Sequence, residues 1–133
     1  MRESDPEVQA AFAEEASERL GALEAGLLTL ERAAASPPAD LLNAVFRDAH
    51  SIKAGANLLS LRSLEAAAHR LENVLDSLRK GRLSPGEDVI EALLDGVDLL
   101  RELLGRPGAG APADMPRRLA VLESLAGRPP EAA

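Results

Sequence analysis

Leucine and alanine recur every three or four residues through five segments of this chain, and proline or glycine breaks the pattern between most of them. That interval stacks apolar side chains on one face of an α-helix and does not match the two-residue alternation of a strand. The chain has only two phenylalanines and no tryptophan or tyrosine, so the aromatic residues that favour strands are scarce. The expected fold class is all-α: an up-down-up-down four-helix bundle with a short fifth helix at its C-terminal side. At 133 residues the chain is long enough for one such core.

The first helix is expected from about Asp5 to Ala33, with Asp5-Pro6 as N-cap and first turn. Its stripe is Val8, Phe12, Ala16, Leu20, Leu23, Leu27 and Leu30, and Gly21 and Gly26 are candidates for close helix approach. Ser36-Pro37-Pro38 ends it. Asp40 is the expected cap of a second helix reaching Leu59, with Leu42, Val45, Ala49, Ile52, Ala56 and Leu59 inward. After the short LSLRS turn, Ser63 is expected to cap a third helix with stripe Leu64, Ala68, Leu71, Leu75 and Leu78, ending at Gly81. A connection this short makes the second and third helices antiparallel neighbours. Ser84-Pro85-Gly86-Glu87 has the form of a capping box. It starts a fourth helix that uses Val89 or Ile90, Leu93, Leu94, Val97, Leu100 and Leu104. Residues 105–113 form a Gly-Pro-Ala link, and Asp114 and Pro116 start a fifth helix carrying Leu119, Leu122 and Leu125. The bundle thus covers about residues 5–104 and the fifth helix about 114–126, with 128–133 read as the start of a linker.

The formal net charge is −7, which argues against general binding to nucleic acid or an anionic membrane. The charge is unevenly spread. Residues 1–42 carry net −6 and residues 83–133 net −4, whereas residues 43–82 carry net +3. The second and third helices are a positive island suited to phosphate or an acidic partner. There is no cysteine, hence no disulfide or thiolate metal site. MRESDPEVQ has no apolar core of a signal sequence, and no apolar run approaches a membrane span. A cytoplasmic location is the expectation.

Each helix of this island carries a histidine beside its apolar stripe. His50 and Lys53 are three residues apart on one helix, and His69 and Glu72 three apart on the next. Each pair shares a helix face. Packed antiparallel, the helices bring both pairs to one side of their contact. Imidazole attacks through whichever ring nitrogen lacks a proton. A carboxylate accepting the other N–H fixes the tautomer and makes the ring more basic. Glu72 is the expected partner of His50, Lys53 the expected point charge for phosphate oxygens, and His69 a hydrogen-bond donor shaping the site. A zinc or iron site from His50, His69 and Glu72 is the competing chemical reading. Bundle metal sites draw inward-facing ligands from more helices, and His69-x-x-Glu72 is a single reversed pair, so no metal is expected. No Gly-x-Ser-x-Gly or Gly-x-x-x-x-Gly-Lys-Ser/Thr run is present, so neither a serine nucleophile elbow nor an ATP-binding loop is expected.

FRDAHSIKAGANLL (46–59) followed by LEAAAHRLENVLDSLRKG (64–81) closely resembles the histidine phosphotransfer (HPt) domain at the N-terminus of CheA-type chemotaxis kinases. EEASERLGALEAGLLTLE and IEALLDGVDLLRELL resemble its flanking helices, so the likeness covers about residues 8–104 and gives residues 1–127 as the domain. The resemblance implies that His50 is phosphorylated, that Glu72 orients it, and that Lys53 and His69 surround it. It implies no cofactor in this domain, ATP and Mg being bound by a separate kinase domain of the same chain or of a dimer partner. The phosphocarrier thereby belongs to a histidine protein kinase and passes its phosphoryl group to an aspartate of a response-regulator receiver domain. The isolated domain is expected to be a monomer. Ala54, Asn57 and Ser60 stand where the family often has glycine. The alternative reading is a non-catalytic helical adaptor docking on response regulators through the same positive island.

Overall fold

Asp5 accepts from the backbone N–H groups of Glu7 (3.0 Å) and Val8 (3.4 Å) at the N-terminus of α1, Pro6–Ala33. It is followed by α2 (Ala39–Leu58), α3 (Arg62–Arg79), α4 (Glu87–Leu104) and α5 (Met115–Ala126). The computed structural model describes residues 5–33, 37–106 and 110–129, and there is no strand among them. Ser36, residues 107–109 of the expected Gly-Pro-Ala link and residues 130–133 of the expected linker lie outside the described residues. Arg128 pairs with Asp88 at 2.9 Å, tying the end of α5 to the start of α4.

The first four helices close a ring: α1 packs on α2 and α4, and α3 packs on α2 and α4. The expected inward stripes of α2 and α3 are buried at every position. On α1 the stripe is buried from Ala16 to Leu30, while Phe12 is half-buried and Val8 exposed. Gly26 does permit a close approach, since a Cβ there would lie 2.4 Å from Val45 Cγ1. Gly21 faces open space. The fifth helix lies against both α3 and α4, so α4 is covered on more sides than a bundle helix with two neighbours. Val89 and Ile90 are both buried, as are Leu99 and Gly96, while Leu94 and Leu104 are only half-buried. A Cβ on Gly96 would meet Leu71 Cδ1 at 2.7 Å and Leu122 Cδ1 at 3.5 Å, which places three helices around one missing side chain.

Several expected caps are corrected. The N-terminus of α2 is flanked by Pro38, with Asp40 inside the first turn. Leu61 flanks α3, with Ser63 already helical, and Gly86 flanks α4, with Ser84 two residues outside it. None of these termini has a side-chain cap. Acidic residues in the first turns, Asp40, Glu65, Glu87 and Asp88, complement the positive helix ends instead. The C-termini are the better-defined ends. After α3, the N–H of Gly81 (φ +74°) donates to Leu78 O and that of Arg82 to Ser77 O. After α2, Ser60 N–H donates to Asn57 O and Leu61 N–H to Ala56 O, with Ser60 itself at φ 59°. Both are Schellman closures. The second turns α2 into α3 within three residues and so sets the register between them.

Candidate functional site

At about 1.5 Å of rise per residue, His50 and Glu72 stand at similar heights above the Ser60 turn. They face each other across the α2–α3 contact. His50 Nδ1–H donates to Glu72 Oε2 at 2.5 Å, and Lys53 Nζ donates to Glu72 Oε1 at 2.7 Å. The three side chains differ in access to solvent: His50 is 54 % exposed, Lys53 26 % and Glu72 8 %. The sequence pattern put Glu72 on the flank of its helix; the structure buries it, with each carboxylate oxygen satisfied by a donor from α2.

Burial pushes the Glu72 carboxyl up, but hydrogen bonds from Lys53 and His50 outweigh it and hold the group below the ordinary carboxylate range. Glu72 is therefore ionised at neutral pH. An ionised carboxylate only accepts hydrogen bonds, so in the neutral imidazole the His50 proton sits on Nδ1 and Nε2 keeps its lone pair. The site presents one nucleophilic nitrogen on a half-exposed ring, with the opposite nitrogen anchored to a buried charge. Lys53 uses one of its three N–H donors on Glu72, leaving the others for an incoming anion.

His69 is not hydrogen-bonded to His50, Lys53 or Glu72. It is exposed on α3 and has no hydrogen bond or ion pair with any described residue. No group of three or more His, Cys, Asp or Glu among the described residues is arranged to hold a metal ion.

Two contacts at the site go beyond the sequence pattern, which puts Phe46 on the same flank of α2 as His50 and Lys53. Phe46, one turn before His50, stacks on the imidazole with ring centroids 6.1 Å apart and planes 14° apart. The Arg79 guanidinium, from the last turn of α3, lies 3.9 Å over the Phe46 ring and is held by Asp76 at 2.8 Å. Burial raises the Asp76 carboxyl, but Lys80 and Arg79 together bring it below the usual range. The i, i+4 spacing of Phe46 and His50 was the available signal; Arg79 has none until α2 and α3 are packed. Away from the site, Arg118 of α5 was also unforeseen. Its side chain is only 7 % exposed and is held by Asp95 (3.0 Å), Glu102 (2.9 Å) and Asp114 (3.5 Å). Hydrogen bonds donated to Glu102 and Asp95 raise its pKa despite burial.

A helical bundle that shows one imidazole to solvent and hides the carboxylate that orients it is the architecture of a histidine phosphotransfer module. The Hpt domain family matches residues 7–103, and the chain belongs to it. The chain is 40 % identical over 131 residues to the chemotaxis protein CheA of Rhizobium meliloti (strain 1021), covering 96 % of this chain and 17 % of that protein. It is 41 % identical over 93 residues to the chemotaxis protein CheA of Salmonella typhimurium (strain LT2), covering 70 % and 14 %. The chain thus spans about a sixth of the length of these relatives. Among solved structures, the phosphorylated P1 domain of CheA3 in complex with CheY6 from R. sphaeroides superimposes with a TM-score of 0.79 at 27 % identity, over 92 % of this chain and 97 % of that one.

Proposed function

We propose that this domain is the phosphocarrier of a CheA-like chemotaxis signalling kinase. His50 accepts a phosphoryl group from an ATP-binding kinase domain and passes it to an aspartate of a response-regulator receiver domain. The observation that carries this reading is the His50–Glu72 contact, with Nδ1 anchored and Nε2 open. In the first transfer the Nε2 lone pair attacks the γ-phosphorus of ATP. An Nε2–P bond forms, the P–O bond to the leaving group breaks, and ADP departs with that electron pair. The Nδ1 proton stays in its hydrogen bond, and the Glu72 carboxylate offsets the positive charge growing on the ring. In the second transfer an aspartate oxygen attacks phosphorus and the Nε2–P electron pair returns to the ring.

The sequence has no Gly-x-x-x-x-Gly-Lys-Ser/Thr run, and in this reading nucleotide and Mg belong to the kinase domain. The α2–α3 pair and the turn after it carry the basic residues Arg47, Lys53, Lys80 and Arg82, an excess of positive charge suited to a phosphorylated ligand. On the other side of α2, Leu58 is 75 % exposed and borders a groove between α1 and α2 that Val8 and Ser51 also line. The solved relative, phosphorylated and bound to CheY6, supports a receiver as the second partner.

The test is a chase. Domain labelled from radioactive ATP by a co-encoded kinase domain is freed of nucleotide and mixed with a co-encoded receiver protein. The label should move to the receiver and be lost from the domain. Label that stays on the domain with every co-encoded receiver would refute the second transfer and leave a phosphorylated dead end.

A further inference from the structure

Glu72 holds His50 by one edge, and a single edge contact leaves the imidazole free to tilt about the Nδ1···Oε2 line. Phe46 lies nearly parallel to the ring and offset from it, at 6.1 Å between centroids and 14° between planes, within the separation at which aromatic rings attract in offset stacks. Phe46 is not loose. It is half-buried against the core, and the Arg79 guanidinium lies 3.9 Å over its ring. Arg79 is in turn tied to Asp76 at 2.8 Å, while Asp76 also holds Lys80 at 2.9 Å. A chain of contacts therefore runs from the last turn of α3 through Phe46 to the face of the reacting ring.

We infer that Phe46 is a positioning residue for phosphoryl transfer: held by Arg79, it sets the plane of the His50 imidazole so that Nε2 points along one approach line. The inference rests on the proposed role of His50. In-line attack needs the nitrogen lone pair aimed at phosphorus, and a ring fixed by edge and face spends more time aimed than a ring fixed by edge alone. Replacing the aromatic face by an aliphatic side chain keeps the apolar contact with the core but removes the stack. The lost attraction corresponds to about a three- to tenfold lower alignment of the ring.

The experiment compares Phe46→Leu, Phe46→Tyr and Arg79→Gln with the parent domain in two measurements. One is the rate constant of phosphorylation by ATP and a saturating co-encoded kinase domain. The other is the NMR signals of the His50 ring in the unphosphorylated domain, which need no partner. Phe46→Leu should lower the rate constant about three- to tenfold with little change in the kinase-domain concentration giving half the maximal rate. It should also shift the His50 ring protons by removing the neighbouring ring current. Phe46→Tyr should restore both to near the parent, and Arg79→Gln should lower the rate about twofold in a domain that melts at the parent temperature. A folded Phe46→Leu domain labelled at the parent rate would overturn the inference. If Phe46→Leu does not fold, an unchanged rate in Arg79→Gln, with unmoved His50 ring signals, would overturn it instead. Failure of the parent domain to label would sink the proposed function, and the ring signals would still show whether Phe46 orients the imidazole.

Discussion

Glu72 is the buried end of a contact whose other end, His50, stands half in solvent, with 2.5 Å between Oε2 and Nδ1. The asymmetry is the useful part. A carboxylate out of solvent, with Lys53 on its second oxygen, keeps its charge and position while the ring it holds remains reachable.

Loss of that carboxylate should slow phosphorylation without preventing it. Glu72→Ala frees the tautomer of His50 and leaves Lys53 without its partner. Residues that orient a reacting imidazole from behind are worth about ten- to a hundredfold in activity. The labelling rate with ATP and kinase domain should fall by that much, and Lys53→Ala should cost less. Parent rates in both variants would refute the constellation.

The same residue sets part of the acid stability of the bundle. Because Glu72 has a folded-state pKa below its ordinary 4.5, the unfolded chain binds the proton more tightly. The stabilisation is fully present above that ordinary value and is lost as pH falls through the folded-state pKa. Glu72→Gln should cost about 1–2 kcal/mol at neutral pH and give a shallower loss of stability below pH 4.5. Urea unfolding as a function of pH reads both.

Ser60 occupies the left-handed position of the closure between α2 and α3, φ 59°, where a side chain is strained. Ser60→Gly should raise stability by about 0.5–1 kcal/mol, the relief of strain exceeding the extra backbone entropy of glycine. A higher urea midpoint at unchanged slope is the expected sign.

Arg118 joins α5 to α4 from a nearly buried position. Arg118→Ala should destabilise the domain by about 1–3 kcal/mol, discounted from a fully buried network because its carboxylate partners are partly solvated. Arg118→Met retains much of the apolar stem packing and should lose less. Equal urea midpoints for Arg118→Ala and the parent domain would show that the cluster does not fasten α5.

Leucine spacing made the bundle legible, because a helix with one buried face announces that face every three or four residues. It worked best on α2 and α3, whose stripes are buried throughout. It underestimated α4, whose Leu99 and Gly96 are buried in a helix flanked by α1, α3 and α5. Which helices contact it is a property of the assembled fold. The caps misled for another reason: Asp40, Ser63 and Ser84 have the right chemistry, but the helices start at Ala39, Arg62 and Glu87, which leaves none of the three in the capping position. At the site, His50, Lys53 and Glu72 were readable because i, i+3 spacing survives any packing of the two helices. Arg79 over Phe46 depends on the register between α2 and α3, which follows from the closure at Ser60 and not from the spacing of apolar residues. His69 lies three residues before Glu72 and makes no hydrogen bond or ion pair with any described residue, so the shared spacing does not by itself give it a partner.

The central claim is that the outward nitrogen of His50 carries the phosphoryl group. The direct measurement is incorporation of label from radioactive ATP, with a co-encoded kinase domain, into the parent domain and into His50→Gln. The parent should acquire an acid-labile phosphate approaching one per chain, and His50→Gln should acquire none while keeping its helical circular-dichroism spectrum. Full labelling of a folded His50→Gln domain would contradict the account.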